Sequence, residues 1–192
     1  MRKVIYWVHT SVDGFIAGPN GEFDWPELTP ELSAYSDVLA DRVGTFLYGR
    51  VVWELMSSYW PTADQISDHP HNVRFAPIWR ATPKVVFSRT LTAAGWHTRV
   101  TADVETTVRA LKAEPGKDLM VTGGATLAAE LARLDLIDEY QVVVHPVVLG
   151  GGKRVFPVRE RLNLTLAGTR AFDDRAVLLS YVRAQGAAAP ES

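Results

Sequence analysis

Short apolar runs alternate with segments of helical periodicity along most of this 192-residue chain. The runs have the β-branched and aromatic composition that is typical of buried strands. They occupy residues 4–8, 45–50, 84–88, 118–122 and 139–152. Two further runs, 164–172 and 176–184, predict a closing β-hairpin. Strands that alternate with helices predict an α/β fold, in which helices cover both faces of a mostly parallel sheet and the hairpin adds antiparallel strands.

Local signals predict where some of the helices begin and end. Thr29 and Pro30 favour the start of a helix, because Thr is a good cap and Pro suits the first helical position. Gly44 is placed to end that helix, and Asp103 is placed to cap a later one. The segment 61–83 is polar and contains prolines and histidines, which predicts a long surface loop with a short helical piece.

The composition is that of a folded protein without unusual charge. Apolar residues make up 47% of the chain, charged residues make up 22%, and the formal net charge is −2. This balance argues against a nucleic-acid-binding face, and no window approaches the roughly 20 apolar residues of a membrane span. Cysteine is absent, which excludes disulfides and thiolate chemistry and is typical of a cytoplasmic protein. We expect a cytoplasmic protein with one domain over residues 1–185 and a flexible tail over 186–192.

Two glycines form a sharp junction between a predicted strand and a predicted helix. Gly123 and Gly124 directly follow the apolar run 119–121, and leucines at helical spacing follow them. Without a Cβ the turn lets the backbone approach a ligand, and the helix N-terminus offers unpaired N–H groups that suit a phosphate. Thr122 and Thr126 add hydroxyl donors. The alternative is that the glycine pair only makes a tight turn.

Two other junctions carry a cation at the end of a predicted strand. Gly49-Arg50 ends one strand and starts a helix, and Ser88-Arg89 ends the next strand. An arginine in such a place is also common as a solvated surface charge. The carboxyl ends of parallel strands share one edge of a sheet, where α/β proteins bind ligands. Two of the three junctions suit a bridging pyrophosphate, and Ser88 with Arg89 suits the 2′-phosphate that distinguishes NADP from NAD.

Four segments together resemble the dihydrofolate reductase-like superfamily, in the branch that contains the reductase domain of bacterial riboflavin biosynthesis. They are SVDGFIAGPNG at 11–21, LYGRVVWE at 47–54, VTGGATL at 121–127 and LIDEYQVVVHPVVLGGGKRVFP at 136–157. The last segment is the most specific, because it holds a Pro-x-x-Leu-Gly-Gly-Gly motif. The resemblance covers residues 3–183. The Gly-x-Gly-x-x-Gly motif of a generic NAD-binding Rossmann domain does not follow the first strand.

This resemblance implies a dihydrofolate reductase-like, three-layer α/β/α fold and a homodimer. It also implies NADPH-dependent reduction of a pterin-like or pyrimidine-like heterocycle. The cofactor contacts that it implies are Gly123, Gly124, Ala125, Thr126, Gly49 and Arg50 for the pyrophosphate, Ser88 and Arg89 for the 2′-phosphate, and Ile16 and Ala17 for the nicotinamide. A non-catalytic sensor or interaction module that binds NADPH is the alternative.

Hydride transfer to a C=N bond also requires a proton, and two acids are candidates for its delivery. Glu31 follows Trp25 and Pro26 in an order that is similar to the substrate-binding acid of folate reductases. It also stands in the first turn of a predicted helix, where it would complement the helix dipole. Asp13 lies in the loop over the expected nicotinamide, but Asp before Gly is a frequent turn pair. A catalytic role for either acid would be favoured by an apolar pocket that raises its pKa.

The histidines are interpreted as structural or solvent-facing. His69 and His71 share the polar segment but lack the third ligand and the fixed spacing of a zinc site, so we predict no metal site there. His9 and His145 lie in predicted strands, where we expect hydrogen-bonded structural histidines.

The remaining candidates are aromatic and basic. Trp7, Trp53 and Trp96 are expected in the core. Trp25, Trp60 and Trp79 are expected on the cleft side, where they are able to stack on a planar ring, and core packing is the alternative for each of them. A substrate that carries a ribose phosphate needs a further cation, and the candidates are Arg74, Arg80 and Lys153.

Overall fold

The computed structural model describes residues 1–184 as an eight-stranded sheet flanked by helices, with a second, two-stranded sheet beside it. The strands are β1 (Val4–Ser11), β2 (Phe15–Ala17), β3 (Val43–Gly49), β4 (Lys84–Phe87), β5 (Thr98–Thr101), β6 (Asp118–Thr122), β7 (Glu139–His145), β8 (Lys153–Arg154), β9 (Leu164–Phe172) and β10 (Ala176–Arg183). The helices are α1 (Pro30–Asp41), α2 (Arg50–Tyr59), α3 (Ala63–Ile66), α4 (Pro70–Ala81), α5 (Val104–Ala113) and α6 (Ala125–Arg133), and a 3₁₀ turn spans Trp60–Thr62. The tail predicted over 186–192 lies outside the described residues.

The main sheet is parallel except at its C-terminal hairpin. Its strand order is β5-β4-β3-β6-β1-β7-β10-β9, and β10 pairs antiparallel with both β7 and β9. Val108 of α5 and Leu131 of α6 belong to the core on one face, and Leu32 of α1 and Trp79 of α4 belong to the core on the other. The predicted three-layer, dihydrofolate reductase-like architecture is therefore confirmed. Because β5, β4, β3, β6, β1 and β7 are parallel, their carboxyl ends meet at one edge.

Gly44 lies inside β3, so the prediction that it ends α1 is wrong. The helix starts at Pro30 as predicted and ends at Asp41. Arg42 keeps a right-handed conformation before the chain enters the strand. A Cβ at Gly44 would come within 3.0 Å of the Lys117 Cβ, so this glycine allows two chain segments to approach each other closely.

Residues 61–83 are mostly helical, so the prediction of a long surface loop is wrong. α3 and α4 fill most of the segment, and Pro70 stands in the first turn of α4, where a missing N–H leaves no hydrogen bond unmade. α4 buries Trp79, whose indole N–H donates to the Tyr48 hydroxyl at 3.1 Å. The Trp79 ring stacks on Trp53 with 5.8 Å between centroids. The polar composition of the segment conceals this buried face.

His71 is buried in α4, at 4% exposure, so the expectation that it faces solvent is wrong. Its ring stacks on Phe75, and its Nδ1 lies 3.7 Å from the Asp37 carboxylate. Burial lowers the pKa of His71 against the opposing effect of Asp37. His69 is exposed as predicted and caps α4, since its Nδ1 accepts from the His71 N–H at 3.3 Å.

The strand predicted over 139–152 is only half as long in the structure. β7 ends at His145, and a loop that contains Pro146 and three glycines follows, because such residues do not continue a strand ladder. β8 then pairs antiparallel with β2. The pattern of apolar residues does not predict these two short strands or the edge strand β5.

The last glycine of the 146–152 loop lies against the backbone that follows β2. Gly152 has φ +120°, and a Cβ there would clash with Ala17 O and would come within 2.7 Å of the Gly18 carbonyl carbon. A Cβ at Gly151 would make only an ordinary contact, at 3.6 Å from Pro19 Cγ. Within the triple-glycine run, Gly152 is therefore required by the approach of two loops.

We expect Gly152→Ala to destabilise the protein by at least about 2 kcal/mol, because the new side chain would combine backbone strain with a backbone clash. The melting temperature should fall by about 5–10 °C in a thermal unfolding experiment. Gly151→Ala is the matched control and should melt within about 2 °C of the wild type. Equal melting temperatures for the two variants would contradict the close approach at Gly152.

Candidate cofactor-binding groove and adjacent cleft

A groove of about 710 Å³ opens at the carboxyl edge of the sheet. It is lined by the ends of β3 and β4 and by the first turns of α2, α5 and α6. Six residues that were predicted to bind the cofactor line it, namely Gly49, Arg50, Ser88, Arg89, Gly124 and Thr126. Phe87, Ala102 and Val104 line it too and were not predicted, because apolar and small residues at strand ends carry no distinctive signal.

Two helices present uncapped N-termini to this groove. α2 begins after Gly49 and α6 begins after Gly124, and neither position supplies a side-chain acceptor to the first turn. Neither first turn contains an acidic residue. At α5, by contrast, the Asp103 carboxylate accepts from the Thr106 N–H at 3.0 Å, as predicted. The first turns of α2 and α6 therefore suit an anion in the groove.

The Gly123-Gly124 turn has a left-handed backbone that glycine adopts without strain. φ is +57° at Gly123 and +62° at Gly124. The Gly123 N–H donates to Trp7 O at 2.9 Å, which fixes the turn to β1. A Cβ at Gly124 would come within 3.3 Å of Val52, whereas a Cβ at Gly123 would meet no atom within 4 Å. The space beside Gly123 is therefore open to a ligand.

Thr122 and Ala125 flank this turn in different environments. Thr122 ends β6 and is half-buried. Ala125 opens α6 and its side chain is buried in the core, so only its backbone is available to a ligand. Thr126 is exposed in the groove.

Three cations border the groove. Arg50 forms a surface ion pair with Glu54 at 2.7 Å. Arg89 and Lys153 are exposed, and neither forms an ion pair with another residue in the described range 1–184. The Ser88 hydroxyl accepts from the N–H groups of the two residues that follow Arg89, so it orders the turn that carries this arginine.

The two residues expected at the nicotinamide lie outside this groove. Ile16 and Ala17 belong to β2, and β2 contacts β1 and pairs with β8. Ile16 is buried in the core cluster that also contains Val8, and Ala17 packs against Gly152. The structure therefore brings most of the predicted phosphate-binding residues together in the groove and leaves these two outside it.

Asp13 ties two loops together. Its carboxylate accepts from the N–H groups of Leu149 at 3.1 Å and Gly150 at 2.8 Å. Hydrogen bonding by the Ser11 side chain and by these two N–H groups lowers the pKa of Asp13. An acid with a lowered pKa is ionised at neutral pH and holds no proton to donate. The geometry favours a loop-forming role for Asp13.

Glu31 makes a reciprocal pair with the turn between β9 and β10. Its N–H donates to the Asp173 carboxylate, and its own carboxylate accepts from the Asp173 N–H, both at 2.9 Å. The side chain is exposed, so it lacks the apolar surroundings that would favour a catalytic acid. The catalytic role of Glu31 stays a prediction, and the geometry favours its role at the helix terminus.

A pair of histidines lies at the ends of β1 and β7. Nδ1 of His9 is 2.8 Å from Nε2 of His145. The indole ring of Trp25 packs against His145 with 5.6 Å between centroids. The apolar pattern predicts that both histidines lie in strands. It does not predict their contact, because the parallel pairing of β1 with β7 joins residues that are 136 positions apart.

The tryptophans and arginines depart in part from expectation. Trp79 is fully buried and does not border the cleft, whereas Trp96 is 45% exposed and lies outside the core.

Arg74 forms an ion pair with Asp37 at 3.0 Å, and Arg80 forms one with Asp64 at 2.8 Å. Of the three candidates for a substrate phosphate, Lys153 is the one that lines the groove.

No helix within residues 1–184 has the length and apolar character needed to cross a membrane. Over the same residues, no group of three or more His, Asp or Glu side chains is arranged to hold a metal ion.

The sheet order defines a dihydrofolate reductase-like fold, and the groove at its carboxyl edge has a lining that suits an anion. The model of the RibD C-terminal domain family matches residues 2–178. The chain belongs to this family.

Two curated relatives come from Bacillus subtilis (strain 168). The uncharacterized protein YyaP is 35% identical over 185 residues, which cover 94% of each chain. The uncharacterized protein YwjB is 32% identical over 186 residues, which cover 95% of this chain and 99% of YwjB.

Two solved structures share the fold. A putative riboflavin biosynthesis protein from Shewanella sp. PV-4 has a TM-score of 0.70 and 22% identity, with 96% of this chain and 100% of that chain covered. A diaminohydroxyphosphoribosylaminopyrimidine deaminase/5-amino-6-(5-phosphoribosylamino)uracil reductase from Thermotoga maritima has a TM-score of 0.67 and 18% identity. The match covers 95% of this chain and 57% of the Thermotoga chain.

We expect Asp13→Asn to loosen the 146–152 loop, because a neutral amide accepts these two N–H bonds more weakly than a carboxylate. Hydrogen exchange of the Leu149 and Gly150 amides should accelerate by about tenfold or more. In the wild type the same protection should be complete above about pH 4, the ordinary Asp pKa, and should be lost as the pH falls through the lower pKa of the folded protein. Asp24→Asn, an exposed aspartate before α1, is the control and should change neither amide. Unchanged exchange in Asp13→Asn would show that Asp13 does not hold the loop.

Proposed function

We propose that this protein is an NADPH-dependent reductase of a pterin-like or pyrimidine-like heterocycle. The groove carries the proposal, because two uncapped helix N-termini, an open glycine turn and three cations converge in it. The family supports a reductase, and the Thermotoga relative includes 5-amino-6-(5-phosphoribosylamino)uracil reductase in its name. That pyrimidine and dihydrofolate are the two substrates that we would test first.

The strand order suggests how a dinucleotide would lie. Neighbouring strands are about 4.8 Å apart, and the order along this part of the edge is β4-β3-β6-β1-β7. Arg89 follows β4 and would bind the 2′-phosphate, while the Gly123 turn follows β6 and would approach the pyrophosphate. The nicotinamide would then reach β1, on the side of the molecule where β2 carries Ile16 and Ala17. The substrate would lie further along the edge, toward β7.

The residues of the chain would bind and orient both ligands. When bound, NADPH would supply the hydride. Lys153 borders the groove and would also be available to a substrate phosphate, because Arg74 and Arg80 are held in ion pairs. Thr122 and Thr126 would donate hydrogen bonds to the pyrophosphate.

We also propose that the protein is a homodimer. The β9–β10 hairpin exposes Leu166, Val177 and Val182 at 55%, 40% and 37%. No described strand pairs with the outer side of β9. A second copy would cover this apolar edge, which is otherwise a site of unwanted pairing.

We expect Arg89→Ala to weaken NADPH binding by about 10- to 100-fold, because a charged hydrogen bond to the 2′-phosphate would be lost. NADH binding should stay within about twofold of the wild type, since NADH has no such phosphate. Calorimetric titration with each nucleotide measures both values. Arg99→Ala, an exposed arginine on β5, is the matched control. Equal losses for NADH and NADPH in Arg89→Ala would refute the 2′-phosphate role.

The same titration with Gly49→Ala tests the groove itself. Gly49 has φ −79°, and the nearest atom to an added Cβ is the Leu127 Cβ at 4.0 Å, so the new methyl group would enter the groove without strain. We expect a loss of NADPH affinity of about tenfold or more, with a stability cost of about 1 kcal/mol or less at this N-cap position. NADPH oxidation by the wild type is then measured with dihydrofolate and with 5-amino-6-(5-phosphoribosylamino)uracil. Tight NADPH binding without oxidation on any pterin or pyrimidine would instead favour a non-catalytic sensor.

We expect Leu166→Glu to convert the homodimer to a monomer, because a charge would be buried at the proposed interface. Sedimentation velocity of wild type and variant measures the change. Ile66→Glu, at an apolar position of α3 with 66% exposure, is the control and should leave the dimer intact. A wild type that sediments as a monomer would refute the homodimer.

A further inference from the structure

The histidine pair lies where the proposed nicotinamide and substrate positions meet. β1 pairs with β6 only as far as Trp7, but it pairs with β7 as far as Ser11. His9 therefore lies in the part of β1 that pairs with β7 and extends beyond the pairing with β6. As a whole residue His9 keeps partial exposure, although its ring packs against Trp7 and His145, whereas His145 is buried. Of the two residues, His9 is therefore the one that a substrate at this edge of the sheet would approach.

Aromatic rings enclose the pair. Trp7 packs edge-on against His9 with 5.3 Å between centroids, and Trp25 packs in the same way against His145 at 5.6 Å. The Trp25 indole N–H is buried and makes no hydrogen bond within residues 1–184. A buried donor without a partner is unusual, and it fits a ligand that supplies an acceptor. Such surroundings suit a planar heterocycle with polar ring atoms.

The pair is neutral at physiological pH. Burial, followed by the effects of His145 and His71, lowers the pKa of His9 to about 3. Burial also lowers the pKa of His145, against an opposing effect of Glu27. The titratable groups that face the pair are therefore His71 of α4 and Glu27 of the segment before α1. Tyr35 of α1 lies against Trp7, and its hydroxyl donates to Gln141.

One hydrogen bond between two neutral imidazoles allows only two arrangements. In the first, His9 Nδ1–H donates to His145 Nε2, and the outer nitrogen of His9 is bare. In the second, His145 Nε2–H donates to His9 Nδ1, and the outer Nε2 of His9 carries a proton. The two arrangements differ only in the positions of protons. The pair is therefore able to pass a proton along its length without acquiring a charge.

We propose that this pair is a proton relay, in which His9 is the catalytic residue that protonates the substrate from Nε2 and His145 is the positioning residue that gives a proton to His9 Nδ1 and so keeps His9 neutral. The proposal rests on the reductase function proposed above. The substrate that it fits is a planar heterocycle with a reducible C=N bond whose nitrogen faces His9.

The relay balances the reduction. Hydride addition to the carbon of the C=N bond breaks its π bond and leaves an electron pair on the nitrogen. The His9 Nε2–H bond then breaks and a new substrate N–H bond forms. His9 Nδ1 takes the proton of His145 Nε2, and His145 Nδ1 takes one from solvent. One hydride and one proton are consumed, and the histidine pair ends neutral, in the first arrangement. The second arrangement is regenerated before the next turnover when His9 Nε2 takes a proton from solvent, the shared proton returns to His145 Nε2, and His145 Nδ1 releases its proton.

We expect His9→Asn to lower kcat by about 100-fold, because its amide replaces the inner ring nitrogen and keeps the bond to His145 but removes the outer donor. KM and NADPH affinity should change by about twofold or less. His97→Asn is the matched control, since His97 is exposed, lies before β5, and has a left-handed backbone that asparagine tolerates. Wild-type kcat in His9→Asn would overturn the relay.

His145→Gln tests the second half of the relay. Rates in mixtures of light and heavy water should give a curved proton inventory in the wild type, because two protons move together. The inventory should become linear in His145→Gln, together with a fall in kcat of about tenfold or more. A structural role would lower stability without changing this curvature, so an unchanged curve would overturn the relay.

The outcomes for the relay and for the reductase are distinguishable. A wild type that binds no NADPH would contradict the reductase function, and the relay with it. If NADPH binds but neither acceptor is reduced, nitrogen-15 spectra of the histidines decide. The relay requires two neutral rings that exchange between both arrangements at neutral pH, and a shift of the His9 signals when dihydrofolate is added to the NADP⁺ complex. A single fixed arrangement, or no shift, would overturn it.

Discussion

The parallel pairing of β1 with both β6 and β7 is the constraint on which the site depends. The pairing with β6 ends at Trp7, and the pairing with β7 continues to Ser11. The carboxyl edge of the sheet is therefore stepped. On the β6 side, where the pairing ends earlier, the Gly123 N–H donates to Trp7 O and the groove opens beside this turn. On the β7 side, the histidine pair stands between β1 and β7.

The order of the main strands and helices could be predicted, because apolar periodicity reports which residues each element buries. Apolar periodicity gave a wrong prediction where the overall composition of a segment does not match the burial of its residues. The segment 61–83 is polar overall, yet α4 buries Trp79 and His71 within it. The local signals also gave a wrong prediction at Gly44, because glycine serves more than one structural purpose. Glycine favours a helix end, but the structure uses Gly44 for the close approach of Lys117.

The residues that line the groove could be predicted from the sequence more completely than the residue that donates the proton. Glycines and cations at the ends of parallel strands must meet at one edge, so Gly49, Ser88 and Arg89 could be placed from topology alone. The partner of a carboxylate depends instead on loops that no periodicity describes. The Asp13 carboxylate accepts hydrogen bonds from two loop amides that lie 136 and 137 positions later, and Glu31 exchanges hydrogen bonds with Asp173 in the β9–β10 turn.

The groove itself explains why a neutral pair suits proton transfer beside it. Uncapped helix N-termini and the cations Arg50, Arg89 and Lys153 favour negative charge at this edge, and loop amides do the same at Asp13. The surroundings that would hold a phosphate therefore stabilise a nearby carboxylate in its ionised form, which has no proton to give. An imidazole pair responds in the opposite sense, because burial keeps it neutral. A neutral pair with one shared proton retains a donor N–H at neutral pH. Anion binding and proton supply are compatible at one sheet edge when the proton donor is a neutral imidazole and not a carboxylic acid.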